Sequence, residues 1–173
     1  NSSTLDRVMS IITLMGDASF IIPILLAVLL FKQYRNRRYL GAALMANIGA
    51  FLLSQGLKSF FNFPRPLNYF QDATWIHILP EWDHLYHRSF PSGHTTGAFA
   101  LFSFLAFILP KRHQAYGLFL FALAVLVSYS RIYLTAHFFT DVFVGSIIGT
   151  FFSTLAIYIF YKKTAAASLS TAS

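Results

Sequence analysis

The stretch His137-Phe-Phe-Thr-Asp141, followed by VFVGSIIGTFFSTLAIYIFY at 142–161, decides how this chain folds. From residue 138 onward it is an apolar run with no alternation of period two, which predicts a helix rather than a strand. At about 1.5 Å rise per residue, ~20 residues cross a ~30 Å hydrocarbon core, so 138–161 is long enough to span a membrane. One carboxylate, Asp141, lies a turn inside it. Such a charge is costly in lipid unless it is paired. His137, four residues earlier, falls on the same helical face and is the obvious partner. The carboxylate would take one ring N–H, fix the tautomer and leave the other nitrogen free to attack.

Outward from this segment, four more stretches are long enough to span: 9–31, 40–61, 94–110 and 114–130. The third and fourth spans are slightly short, so they tilt little or end at the interface. The expected fold is all-α, a polytopic transmembrane helix bundle with five spans. Composition agrees. Hydrophobic residues make up 56% of the 173 and charged residues 11%, against about 25% charged in a soluble domain. There are no cysteines, so disulfides and thiolate metal sites are excluded. The net charge of +7 does not gather in one patch, which argues against a nucleic-acid partner and for membrane topology.

Lys32, Arg35, Arg37 and Arg38 fill the first break, Lys111 and Arg112 the third, and Lys162 and Lys163 follow the last span. The positive-inside rule places these on the cytoplasmic side. Arg7, Lys58, Arg65, Arg88 and Arg131 fall on the other side, with all six acidic residues. An N-terminus outside, with no signal peptide and no initiating Met, predicts a further span before Asn1, six in the full protein. Residues 1–163 read as one transmembrane domain with an external loop at 62–93, and 164–173 as an unstructured or appended tail.

Three polar clusters interrupt the apolar sequence, all near the outer ends of helices. In the first, Lys58 and Arg65 are seven apart, two turns on one face, before Pro64 and Pro66 end the helix. The second, Pro91-Ser92-Gly93-His94, is a helix start with Ser92 as cap; its N–H groups, with Gly93 allowing close approach, form an anion site beside His94. The third is Ser130-Arg131-x5-His137-x3-Asp141, in which Arg131 grips phosphate in a bidentate way. Two histidines, a carboxylate and fixed cations are suited to phosphoryl chemistry. In the loop at 67–90, His77, His84 and His87 with Glu81 and Asp83 match no zinc template. Trp75, Trp82, Tyr69 and Tyr86 there read as an interfacial belt.

In series, KSFFNFPRP at 58–66, PSGH at 91–94 and SRIYLTAHFFTD at 130–141 resemble the type 2 phosphatidic acid phosphatase family, whose pattern is KxxxxxxRP, PSGH and SRxxxxxHxxxD. Every fixed position matches, in order. The resemblance implies His137 as nucleophile through a phosphohistidine, Asp141 orienting it, and His94 protonating the leaving alkoxide and then activating water. Lys58, Arg65, Ser92, Gly93 and Arg131 would bind the phosphoryl oxygens. The family needs no metal, so no cofactor is expected. The expected activity is hydrolysis of a phosphorylated membrane lipid: phosphatidylglycerophosphate, undecaprenyl pyrophosphate, phosphatidic acid or lipid A phosphate. The expected place is a bacterial inner membrane, with the site facing the periplasm. The rivals are a phosphotransferase using the same phosphohistidine and a non-catalytic lipid-binding or transport protein. Oligomeric state stays open.

Overall fold

The computed structural model describes residues 3–70 and 86–162. The helices are α1 (Ser3–Thr13), α2 (Ala18–Val28), α3 (Arg37–Leu44), α4 (Ala50–Phe61), the single turn α5 (Pro66–Tyr69), α6 (Gly93–Ile108), α7 (Tyr116–Tyr133) and α8 (Phe139–Ile157). A π-helical turn, Met45–Gly49, joins α3 to α4, and another, Tyr158–Lys162, extends α8. No strand occurs among the described residues.

α6 is the hub, because its sequence is apolar on nearly every face. Three buried clusters all draw on it. Phe99 and Phe102 pack with Ile21 of α2 and Val127 of α7. Phe104 meets Tyr39 and Ala42 of α3 and Ala156 of α8. Ala100 meets Ala50 of α4 and Ile148 of α8. Small residues set the α6–α8 approach. A Cβ on Gly149 would lie 2.5 Å from the Thr96 carbonyl oxygen, and one on Gly145 would lie 2.8 Å from that of Ser92. Large apolar side chains face outward instead; Leu118 of α7 is 75% exposed, and Phe119, Phe143, Phe151 and Leu52 are exposed too. In water so extensive an apolar surface drives association; in lipid it is the solvated face.

Among the described residues, three helices are long and apolar enough to cross a membrane: the run Arg37–Tyr69, then Tyr116–Tyr133 and Phe139–Tyr161. A fourth crossing exists if α1 and α2 count as one span. The expected continuous span at 9–31 is therefore corrected. It is two helices bent by 54°. Leu14–Gly16 tighten into a 3₁₀ turn, and Asp17 takes an extended conformation (φ −92°, ψ 153°) to start α2, accepting the Ser19 N–H on Oδ1 at 2.8 Å. The expected span at 94–110 is α6, only 16 residues long, or ~24 Å. It stops at Leu109 (φ −58°, ψ 137°), since the residue before Pro110 is biased out of the helical region.

Candidate active site

All three sequence clusters gather at one end of the bundle. The opposite end is closed by Tyr34, whose hydroxyl donates to the Ile108 carbonyl at 2.9 Å.

α8 supplies the centre. Asp141 sits in its first turn, and His137 lies in the preceding turn between two spans. His137 Nδ1 faces Asp141 Oδ2 at 3.3 Å. The same oxygen accepts the Phe138 N–H at 2.9 Å and the hydroxyl of Ser89. Three donors on one oxygen hold the carboxylate in place and assign the ring proton to Nδ1. Nε2 is then the ring nitrogen that keeps its lone pair, and Arg65 Nη1 lies 3.4 Å from it. The turn that carries His137 is tight. The Arg131 carbonyl accepts N–H groups from both Ala136 and His137. Thr135 adopts φ 55° there, a left-handed conformation that a β-branched residue rarely takes and that costs on the order of 1–3 kcal/mol.

The cations come from three elements. Lys58 stands near the end of α4 and donates to the Arg88 carbonyl at 2.9 Å. Asn62 then takes a left-handed conformation that ends the helix. Arg65 follows and bridges two loops, Nε to the His87 carbonyl at 2.9 Å and Nη1 to the Ala136 carbonyl at 3.1 Å. Arg131, in the last turn of α7, donates from Nη1 to Thr13 Oγ1 at 2.8 Å. These side chains are buried: Arg131 is 1% exposed, Asp141 2%, His137 3% and Lys58 7%. Three cations around one buried carboxylate leave a positive excess that a phosphate dianion would neutralise. Burial first, then the Arg131, Arg65 and Lys58 charges and His94, hold the His137 imidazole neutral, well below the usual histidine range.

Ser92 caps α6. Its Oγ receives the Thr95 N–H and hydroxyl, while its own N–H donates to the Asp141 carbonyl at 3.0 Å. The N–H groups of Gly93 and His94, the first of the helix, make no hydrogen bond among the described residues, which suits them to an anion. A Cβ on Gly93 would sit 3.6 Å from Lys58 Cε, an ordinary contact, so the protein leaves open space beside this residue. His94 stands on the first turn, 27% exposed, with Nε2 at 4.0 Å from Asp17 Oδ2. Arg131, Lys58 and Arg65 act on both imidazoles. Ser130 turns its hydroxyl back to the Val127 carbonyl at 2.5 Å, away from this cluster.

Residues 38–165 match the profile of the PAP2 superfamily. The chain belongs to the PAP2 superfamily. Among its relatives, the lipid A 1-phosphatase of Rhizobium johnstonii is 32% identical over 111 residues, covering 64% of this chain and 43% of that protein. Undecaprenyl-diphosphatase BcrC of Bacillus subtilis is 31% identical over 148 residues, covering 86% of this chain and 70% of its own length. The crystal structure of a transmembrane PAP2-type phosphatidylglycerolphosphate phosphatase from Bacillus subtilis superposes with a TM-score of 0.75 at 28% identity, covering 94% of this chain and 79% of that one. The apolar helices and this likeness make the present PAP2 protein an integral membrane protein.

All eight residues expected at the site are therefore at one end of the bundle. Sequence reasoning missed Ser89, Thr13 and Asp17. Ser89 lies two residues before the second motif at no diagnostic spacing, while Thr13 and Asp17 precede the matched residues 38–165. Tyr69 and Tyr86 are exposed, as an interfacial belt requires. No group of three His, Cys, Asp or Glu among the described residues is placed to hold a metal. His77, His84, Glu81, Asp83, Trp75, Trp82 and the tail 164–173 lie outside the described residues.

Proposed function

We propose that this PAP2 protein is a lipid phosphate phosphatase that works through a phosphohistidine on His137. The observation that carries the reading is the two-sided hold on the His137 ring: Nδ1 on Asp141 Oδ2 at 3.3 Å and Nε2 beside Arg65 at 3.4 Å. Nε2 attacks phosphorus, the P–O bond to the lipid breaks, and its electron pair leaves with the ester oxygen, which His94 protonates. Water then attacks the phosphohistidine, with His94 taking its proton, and inorganic phosphate departs. Lys58, Arg65, Arg131 and the N–H groups at Gly93 and His94 stabilise the charge on the equatorial oxygens. Preorganised donors of this kind are worth ~10²–10³ in turnover each. With that much positive charge supplied by side chains, the reaction has no need of a metal ion.

The substrate class is a phosphorylated membrane lipid. Its phosphate lies at the headgroup level, where the site end of the bundle would sit, and its tails lie along the apolar helix faces. The relatives' names span a lipid A 1-phosphatase, an undecaprenyl-diphosphatase and a phosphatidylglycerolphosphate phosphatase, all acting on phosphorylated lipids. The cationic breaks at the far end support a cytoplasmic position for that end and an outward-facing site, with α6 proposed as a further, short crossing. Phosphate release from mixed lipid phosphates in detergent tests the reading. The wild type should release phosphate without an acceptor lipid, and His137→Ala should release none. Full activity in His137→Ala would overturn the assignment.

A further inference from the structure

The bend between α1 and α2 carries two polar side chains to the site: Thr13 to Arg131 and Asp17 to His94. The bend is built to approach closely. A Cβ on Gly16 would lie 2.4 Å from the His94 carbonyl oxygen, and one on Gly97 would lie 2.8 Å from the Gly16 carbonyl oxygen. These are backbone contacts that only glycine permits, and they press the Gly16–Asp17 peptide against the first turn of α6. Asp17 is also fixed locally. Its Oδ1 is occupied by the Ser19 N–H at 2.8 Å, which leaves Oδ2 turned to His94 Nε2 at 4.0 Å.

We propose that Asp17 is a positioning residue for His94, holding the imidazole through Nε2 so that Nδ1 serves the leaving oxygen. The inference rests on the phosphatase reading above and adds a second carboxylate–histidine pair to the one at Asp141 and His137. The charged groups near His94 are Asp17 from the bend, Arg131 from α7, Lys58 from α4 and Arg65 from the segment after it. Of these four, Asp17 is the one whose charge is opposite to that of an imidazolium. In the first half-reaction the Nε2–P bond of His137 forms and the P–O ester bond breaks. The Nδ1 proton of His94 passes to the departing oxygen, and His94 is left neutral with its Nε2–H still directed at Asp17. In the second half-reaction His94 Nδ1 takes the proton of the attacking water, the N–P bond breaks, and the imidazolium is restored against the same carboxylate.

Asp17→Asn separates this role from helix capping, because asparagine caps a helix as well as aspartate does. Wild type, Asp17→Asn, Asp17→Glu and His94→Ala would be assayed on two substrates. One is phosphatidic acid, whose alkoxide must be protonated as it leaves; the other is a long-chain nitrophenyl phosphate, whose nitrophenolate leaves unaided. The expected result for Asp17→Asn is a drop of ~10-fold or more in kcat on phosphatidic acid, within the range for acid–base assistance. KM should be little changed, the drop on the nitrophenyl ester should be at least several-fold smaller, and Asp17→Glu should recover part of the loss. His94→Ala should show the same substrate pattern more strongly. Equal losses on both substrates, or none on either, would overturn the role of Asp17. A wild type that releases phosphate from neither substrate would instead overturn the phosphatase reading.

Discussion

Ser89 donates its hydroxyl to Asp141 Oδ2, the same oxygen that His137 Nδ1 faces at 3.3 Å. The carboxylate is thus held from a loop 52 residues away in sequence, and that loop also delivers Pro91-Ser92-Gly93-His94. Ser89 is fully buried and spends its hydroxyl on Asp141, so its effect is expected through the aim of the carboxylate.

Ser89→Ala should therefore lower kcat with little change in KM. Losing one buried hydrogen bond leaves about 1–3 kcal/mol unsatisfied at Asp141, enough for roughly a tenfold drop if the carboxylate swings. Asp141→Asn should cost far more, on the order of 10³–10⁴, as loss of a histidine-orienting carboxylate does in a triad. Steady-state kinetics on one lipid phosphate measures both. A Ser89→Ala enzyme at wild-type kcat would contradict the account.

Arg65 should not tolerate lysine. Its guanidinium bridges the His87 and Ala136 carbonyls and still lies against His137 Nε2. A lysine ammonium keeps the charge but loses the planar fork. Arg65→Lys is expected to lose ~10²-fold in kcat/KM, close to the effect of Arg65→Ala. Near-wild-type turnover in the lysine variant would show that charge alone suffices.

Acid should weaken the fold through His137. Its pKa is held below the ordinary histidine value by burial and the surrounding cations. The unfolded chain takes up this proton near pH 6.5 while the folded one does not. The folded state therefore loses stability as pH falls below ~6.5 toward the depressed native value, and nothing is lost above it. Thermal unfolding in detergent from pH 8 to pH 5 should show a steeper decline for wild type than for His137→Asn. Identical slopes would mean that His137 titrates normally.

Two glycines make opposite predictions. A Cβ on Gly149 meets the Thr96 carbonyl oxygen at 2.5 Å and the Ala100 nitrogen at 2.7 Å, both backbone. Gly149→Ala should destabilise by about 1–3 kcal/mol. Gly56, inside α4, has nothing within 4 Å of such a carbon, so Gly56→Ala should stabilise by roughly 0.5–1 kcal/mol through helix propensity. Melting temperatures of the pair decide it; a loss at Gly56 as large as at Gly149 would contradict the packing described.

The clustered polar side chains were legible because charge is costly where they stand. Lys58, Arg65, Arg131 and Asp141 are charges in an apolar chain, and such residues are retained for a reason that spacing then exposes. The supporting groups carry no such mark. Ser89 is an ordinary serine, and Thr13 lies in an apolar stretch that reads as one straight span. The 54° break there falls where Gly16 packs against His94, a contact between distant segments that no local pattern announces. The brevity of α6 was legible in the short apolar stretch at 94–110, which Pro110 closes. Gly93 shows the reverse case: its motif position is plain, yet no protein atom demands a glycine there.

The phosphorylated enzyme itself gives the most direct test. The protein would be mixed with a lipid labelled in its phosphate, stopped with alkali within milliseconds, and the label mapped by mass spectrometry. The account predicts an acid-labile, alkali-stable phosphoramidate on His137, absent in His137→Ala and accumulating in His94→Ala when the leaving group needs no proton. Label on any other residue, or phosphate release from His137→Ala at the wild-type rate, would contradict it.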